Sequence, residues 1–225
     1  MIIAKFIAVV VIGYLLGSIP FGVIIGRWKG IDVTQYGSGK MGATNVLRTA
    51  GGKAAALVFI LDLLKGVLAV LFAGLIIGRG YLVVGGHGLG MLIAQVMAAL
   101  AAIAGHNWSV FLKFKGGRGV ATFFGGLVAL CPVAAILGGE VFIIGSGLTR
   151  FASLASIAAA VSTYGILIPL TILGGFPIEY LIYTLIGTII ILVMHRDNIR
   201  RLMSGRERRL GDKTEAGGAR TKSMG

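Results

Sequence analysis

The sequence predicts an all-α polytopic membrane protein with seven transmembrane helices, the N-terminus outside and the C-terminus in the cytoplasm. Hydrophobic residues make up 56% of the 225 residues and charged residues only 13%, which is too little polar surface to cover a soluble globule. The apolar residues form runs, most of them near the roughly 20 residues that a membrane crossing needs. Eighteen of the 21 lysines and arginines lie in alternate connections and in the C-terminal tail, as the positive-inside rule expects of cytoplasmic segments.

The apolar runs define the predicted spans. Pro132 interrupts a run that is long for one helix and short for two, and because proline ends or kinks a helix, we predict two short half-span helices that meet near this residue. Without a break, Arg150 and the basic tail would lie on the opposite side of the membrane from the first two basic loops. The positive-inside rule therefore favours a break at Pro132. No small-x-small cleavage site follows the first run, so we expect it to be retained. The seven spans are residues 2–26, 54–77, 81–104, 119–131, 133–148, 153–173 and 176–194.

The chain is expected to form one integral membrane domain over residues 1–210, followed by a polar and disordered tail over residues 211–225. Residues 195–210 are predicted to form an interfacial helix that continues the last span. In so apolar a chain, the net charge of +13 indicates membrane lipids and anionic substrates as partners rather than nucleic acid.

A glycine-rich basic loop carries the clearest functional signal. Residues 104–122 read AGHNWSVFLKFKGGRGVAT and end in alternating cations and glycines. Glycines let backbone N–H groups converge on one point, and such nests bind anions when cations and a helix N-terminus lie beside them. The alternative is an ordinary basic cytoplasmic loop, which needs the charges but not the glycines. We therefore predict a phosphate site, whose residues are Lys115, Gly116, Gly117, Arg118 and Gly119.

A second polar loop, residues 36–49, reads YGSGKMGATNVLRT. It offers the hydroxyl of Ser38, the amide of Asn45 and the cations Lys40 and Arg48, and arginine can hold a phosphate with two parallel hydrogen bonds. This loop lacks the spacing of a P-loop. A second anion site and a simple turn, in which Thr44 or Asn45 caps the next span, remain equally open on the residues alone.

Two pairs of polar residues lie at helical spacing. Asp62 and Lys65 are three residues apart within the second span, where charges are expensive and usually paired. We favour a structural ion pair that orders the site over direct chemistry. His195 and Asn198 share one helical face after the last span and become site candidates beside two anion loops. Ser153 is either a further site residue or the N-cap of the sixth span.

Several reaction classes lack their sequence signatures. The chain has no Cys/His cluster, no HExxH, no GxSxG and no carboxylate pair within one loop, which disfavours metal and serine hydrolases. We expect neither a cofactor nor a metal. A transporter for a phosphate-bearing solute remains an alternative, but it would place polar groups at mid-membrane in two related halves.

Taken together and in this order, six motifs resemble the bacterial acyl-phosphate:glycerol-3-phosphate acyltransferase family, often called PlsY. The motifs extend from the first span to residue 207, and their shared order and spacing make the resemblance specific. They are GSIPFG (17–22), GSGKMGATNVLRT (37–49), LDLLKG (61–66), GHNWSVFLKFKGGRGVAT (105–122), TRFASLAS (149–156) and HRDNIRRLMSGRE (195–207).

This resemblance implies a seven-span inner-membrane enzyme with a cytoplasmic active site. It would transfer a fatty acyl group from acyl phosphate to the 1-hydroxyl of glycerol 3-phosphate, giving lysophosphatidic acid and phosphate, the first acylation step of phospholipid synthesis. The glycine-rich loop would hold the acyl-phosphate head. Polar positions of the family match Ser38, Arg48, Lys115, Ser153, His195 and Asn198, with Asn45 as a further member. Arg118 and Lys40 depart from the common lysine and asparagine without removing a site element.

Overall fold

The structure of the protein is a computed structural model that describes residues 1–85 and 87–212. The tail predicted to be disordered is residues 211–225, of which residues 213–225 lie outside the described residues. The described elements are helices apart from one short hairpin. In chain order they are α1 (Ile2–Ser18), α2 (Phe21–Trp28), α3 (Ala43–Ala50), α4 (Gly52–Ile77), β1 (Leu82–Val84), β2 (His87–Leu89), α5 (Met91–Asn107), α6 (Val120–Leu130), α7 (Pro132–Thr149), α8 (Ala152–Ile172), α9 (Ile178–Met194) and α10 (Arg196–Met203).

The multi-span helical class predicted from the sequence is confirmed. Five helical segments among the described residues are long and apolar enough to cross a membrane, namely Ile2–Trp28, Gly52–Ile77, Met91–Leu112, Pro132–Thr149 and Ala152–Ile172. Helices α9 and α10 add a sixth if they are taken together, although the chain bends by 61° between them. Length and composition therefore give five to six crossings, compared with the seven predicted.

The break at Pro132 lies where the sequence places it. Helix α6 ends at Leu130, and α7 begins at Pro132 itself, where a missing N–H costs nothing because the first helical turn has no partner for it. Of the two predicted half-span helices, only the 11-residue α6 is short. The prediction was wrong for α7, whose 18 residues suffice for a crossing because the helix runs on to Thr149.

Two predicted boundaries also differ from the structure. The third span was placed at residues 81–104, but β1 and β2 pair as an antiparallel hairpin before α5 begins at Met91. Glycines in this stretch weaken a helix, and Gly85 has a φ of +57° that suits a turn. The interfacial helix predicted over 195–210 ends at Met203, and the irregular segment that follows returns to Arg150, whose carbonyl accepts from the N–H of Leu210 at 2.6 Å.

Helices α4 and α6 approach each other through glycines on both sides of the contact. A Cβ on Gly66 would overlap the carbonyl oxygen of Thr122, and a Cβ on Gly125 would overlap that of Leu63. Close backbone approach of this kind drives helix association in membranes, where the lipid is as apolar as the side chains. The contact fixes the start of α6, and with it the glycine-rich turn that precedes the helix.

We therefore expect Gly125→Ala to destabilise the protein by about 1–3 kcal/mol, because the added methyl group must push α4 and α6 apart. Thermal unfolding in detergent measures the effect as a lower Tm. Gly139→Ala in α7 is the matched control, since a Cβ there has nothing within 4 Å. Equal Tm values for the two variants would contradict the close-contact account.

Candidate functional site

The two predicted anion loops converge on the same region. One cavity, which we call the mixed cavity, has both charged and apolar walls and is lined by residues of both loops and of α4, α5, α6, α7 and α8, with His195. A neighbouring cavity, the polar cavity, is lined mainly by charged and amide side chains. Four residues line both cavities: Ser38, Lys40, Arg48 and Arg118.

Asn45 organises the first loop from within. Its side-chain nitrogen contacts the carbonyl oxygens of Val33 at 2.8 Å and Lys40 at 2.9 Å, and its side-chain oxygen accepts from the N–H of Ser38 at 3.1 Å. The residue is 3% exposed. The alternative that Asn45 or Thr44 caps the second span is wrong, because both lie inside α3 and Gly51 is the N-cap of α4.

The glycine-rich turn presents only part of itself to the mixed cavity. Gly117, Arg118 and Gly119 line the cavity, and Gly119 has a left-handed φ of +75° as it opens α6. Gly116 is buried against the backbone of α5, and the side chain of Lys115 is exposed. Among the predicted loop residues, these two line neither cavity.

Two arginines supply positive charge to the junction of the cavities. The Nε atoms of Arg48 and Arg118 are buried without a hydrogen-bond partner among the described residues. Burial lowers the pKa of Arg118 to about 10, against the opposing effect of the nearby Glu207 carboxylate. Both guanidinium groups stay charged at neutral pH and keep a donor free, so this junction is suited to an anion.

Glu207 lines the polar cavity but was not among the site residues predicted from the sequence. Its carboxylate accepts hydrogen bonds from Asn198 at 2.6 Å, from Arg201 at 2.7 Å and from Ser153 at 2.8 Å. Burial alone would raise the pKa of Glu207, but these hydrogen bonds hold it below its usual value. Phe151, rather than Ser153, is the N-cap of α8, so the capping alternative for Ser153 is wrong. The available signal was a single acid within a run of arginines, RERR.

His195 lies buried at the bend between α9 and α10. Its Nδ1 is 2.8 Å from the carbonyl oxygen of Ile191, and because a carbonyl only accepts, Nδ1 carries the proton and Nε2 has the free lone pair. Burial, reinforced by the charge of Arg118, lowers the pKa of His195 to about 4. The imidazole is therefore neutral at physiological pH.

The ion pair predicted within the second span is present. Lys65 Nζ lies 2.8 Å from Asp62 Oδ1, and both side chains are 2% exposed. His106 Nδ1 lies 3.6 Å from the same carboxylate oxygen. Asp62 and His106 both line the mixed cavity, so the pair reaches the site through its carboxylate.

The chain is similar to known proteins over most of its length. The sequence matches the family described as Glycerol-3-phosphate acyltransferase over residues 7–205. It is 61% identical over 215 residues to Glycerol-3-phosphate acyltransferase 3 of Dehalococcoides mccartyi strain ATCC BAA-2266, covering 95% of this chain and 100% of that protein. It is 40% identical over 213 residues to Glycerol-3-phosphate acyltransferase of Rubrobacter xylanophilus, covering 94% and 98%.

The fold is similar to solved structures of PlsY (YgiH), described as an integral membrane glycerol 3-phosphate acyltransferase. The glycerol 3-phosphate form has a TM-score of 0.79 at 38% identity, covering 92% of this chain and 96% of that one. The lysophosphatidic acid form has a TM-score of 0.77 at the same identity, covering 91% and 94%.

The buried His195 predicts a pH dependence of stability. Its pKa is about 4 in the folded protein and about 6.5 when unfolded, so the unfolded state binds the extra proton between these values. This part of the free energy of unfolding is fully present above about pH 6.5 and is lost as the pH falls toward 4. His195→Gln should flatten the dependence of Tm on pH in that window. An unchanged slope in His195→Gln would contradict the assignment.

Proposed function

We propose that this chain, which belongs to the glycerol-3-phosphate acyltransferase family, uses acyl phosphate as the donor that acylates the 1-hydroxyl of glycerol 3-phosphate. The products are lysophosphatidic acid and inorganic phosphate. The observation that carries this proposal is the pair of cavities that meet at shared cations. One cavity has apolar walls suited to an acyl chain, and the other has the polar walls that a small phosphorylated polyol needs.

The polar cavity is the proposed site of glycerol 3-phosphate. Arg48 offers an unpartnered guanidinium Nε, and Ser38 lies at the same junction, so together they bind the phosphate. Asn198 lines only this cavity and orients the hydroxyl groups of the substrate. Ser153 donates a hydrogen bond to the carboxylate of Glu207, which lines this cavity.

The mixed cavity is the proposed site of the acyl donor. The N–H groups of Arg118 and Gly119 and the charge of Arg118 hold the donor phosphate, while the N–H of Gly117 donates to the carbonyl oxygen of His106. The acyl chain runs toward the lipid past Phe59 of α4 and Phe142 of α7, which line the apolar side. Lys115 stays in the proposal as an exposed cation that attracts the donor at the approach to the turn.

The proposed chemistry depends mainly on positioning and charge. The 1-hydroxyl oxygen attacks the acyl carbon, a new ester C–O bond forms, and the bond to the phosphate oxygen breaks. Burial and the charge of Arg118 lower the pKa of His195, which disfavours proton uptake by its ring, and the hydroxyl proton passes to an oxygen of the departing phosphate. We therefore assign His195 to orienting the substrate, and Arg118 with the glycine turn to stabilising the leaving phosphate.

We also propose a topology and a location. Seven crossings result if α6 counts as a short crossing before the break at Cys131–Pro132. This leaves the N-terminus outside and the C-terminus in the cytoplasm, because the basic connections then share one side. Both cavities would open on the cytoplasmic side of the bacterial inner membrane, where a soluble phosphorylated acceptor can reach them.

The proposal is tested by phosphate release from purified protein in detergent, supplied with palmitoyl phosphate and glycerol 3-phosphate and with no added metal. We expect release that requires both substrates and yields lysophosphatidic acid. Palmitoyl-CoA serves as the control donor and should support no turnover. Turnover with palmitoyl-CoA but not with palmitoyl phosphate would contradict the donor assignment.

Two variants separate the cavities. Gly119→Ala strains a left-handed residue that lines only the mixed cavity, and Asn198→Ala removes an amide that lines only the polar cavity. We expect Gly119→Ala to raise the KM for palmitoyl phosphate by about tenfold, because the strain shifts the N–H groups that face the donor phosphate, and Asn198→Ala to raise the KM for glycerol 3-phosphate by a similar factor, because it loses a hydrogen bond to the acceptor. Initial rates with both substrates varied provide the measurement, and the reverse pattern would overturn the assignment of substrates to cavities.

A further inference from the structure

We propose that His106 is a positioning residue, held by the buried Asp62–Lys65 pair, and that it sets the geometry of the glycine-rich turn. The inference rests on the proposed function in one respect, namely that the turn holds a substrate phosphate. It assigns a role in that reaction to three side chains of the membrane-spanning helices, of which His106 contacts the turn directly.

Asp62, Lys65 and His106 form a buried cluster beside the mixed cavity. Asp62 pairs with Lys65 at 2.8 Å, and Lys65 also donates to the carbonyl oxygen of Ile19 at 3.3 Å. His106 is 3% exposed, and its Nδ1 has no hydrogen-bond partner among the described residues, the Asp62 carboxylate lying 3.6 Å away. An ionic group inside a membrane domain is costly, and a buried pair is weak evidence of stabilisation. The cluster therefore calls for a role other than packing.

His106 contacts the glycine-rich turn through both its backbone and its ring. The carbonyl oxygen of His106 accepts from the N–H of Gly117 at 3.0 Å. A Cβ on Gly117 would overlap Nε2 of the His106 ring, and a Cβ on Gly116 would overlap the His106 carbonyl oxygen. The turn thus rests on both the backbone and the ring of one residue. The orientation of that ring fixes Gly117 and, through the next peptide, Arg118.

The positive charge of Lys65 offsets the negative charge of Asp62 near the turn. A lone carboxylate beside the His106 ring could orient the ring. Such a carboxylate would also place a negative charge next to the proposed phosphate site. The Lys65 ammonium group cancels that charge, so the pair offers an oriented oxygen to His106 and leaves Arg118 as the net charge beside the turn. The same cancellation leaves the other cations of the cavity, Lys40 and Arg48, without an opposing charge from Asp62.

The test uses His106→Phe, which keeps a ring beside Gly117 but removes the nitrogen that faces Asp62, and Asp62→Asn, which keeps the size of the side chain. We expect each variant to raise the KM for palmitoyl phosphate about tenfold, while the KM for glycerol 3-phosphate changes less than twofold and kcat changes less than threefold. Tyr183→Phe is the structural control. It loses a buried hydrogen bond to the carbonyl of Phe123 at 2.8 Å, and it should lower Tm without a comparable change in either KM.

A double-mutant cycle provides a second measurement if a single variant folds poorly. Gly117→Ala alone collides with the ring, whereas His106→Ala makes room for the added methyl group. We expect the double variant to have a KM no higher than that of the worse single variant, which is the non-additivity that direct contact produces.

The outcomes separate the two proposals. A selective rise in the KM for glycerol 3-phosphate would keep His106 as a positioning residue and would reassign the turn to the other substrate. Unchanged KM values for both substrates in His106→Phe and Asp62→Asn, with Tm lowered as in Tyr183→Phe, would overturn the positioning role. Fold-changes in KM that simply multiply in the double variant would overturn it as well.

Discussion

The close approach of glycine-bearing helices is the constraint on which the site depends. A Cβ on Gly105 of α5 would overlap the carbonyl oxygen of Tyr14 in α1, just as the contacts at Gly66 and Gly125 bring α4 against α6. These contacts lie near the end of α5 and the start of α6, the two helices that the glycine-rich turn connects. Packing, rather than the hydrophobic effect, holds helices together in lipid, so the geometry of the turn depends on how closely these backbones approach each other.

A second feature is the sharing of charge between the cavities. The mixed and polar cavities have four lining residues in common, and three of these are cations. In the proposed reaction the two phosphate-bearing substrates would repel each other, and positive charge between them would offset the repulsion where the acyl carbon and the hydroxyl meet. Burial and the charge of Arg118 leave the imidazole of His195 neutral at this point. In our proposal, catalysis is therefore mainly the placement of two anions.

Much of this arrangement could be predicted from the sequence, for identifiable reasons. Hydrophobic runs, the basic loops and Pro132 give local signals, and so the helical class and the break before α7 were predicted. The hairpin was missed because its apolar strands also read as the start of a span. Lys115 was expected in the site with its neighbours. Only residues 117–119 of the turn line the mixed cavity, and the side chain of Lys115 is exposed.

Long-range contacts account for what the sequence could not reveal. Glu207 is 54 residues from Ser153 in the chain, and their hydrogen bond depends on how the segment after α10 folds back. His106 and Asp62 come from different helices, so helical spacing predicts the Asp62–Lys65 pair but not its third member. Asn45 was expected to bind substrate; it lines the mixed cavity, and its hydrogen bonds to the loop that carries Ser38 and Lys40 are long-range contacts that the sequence did not reveal.

Initial-rate kinetics of Arg118→Gln, with palmitoyl phosphate and glycerol 3-phosphate both varied, test the shared-charge account most directly. Arg118→Lys is the matched control, since it keeps the charge and changes only the hydrogen-bond geometry. The account predicts that Arg118→Gln raises the KM for both substrates, because Arg118 lines both cavities, and that Arg118→Lys recovers most of the loss. A rise in only one KM, or equal defects in the two variants, would contradict it.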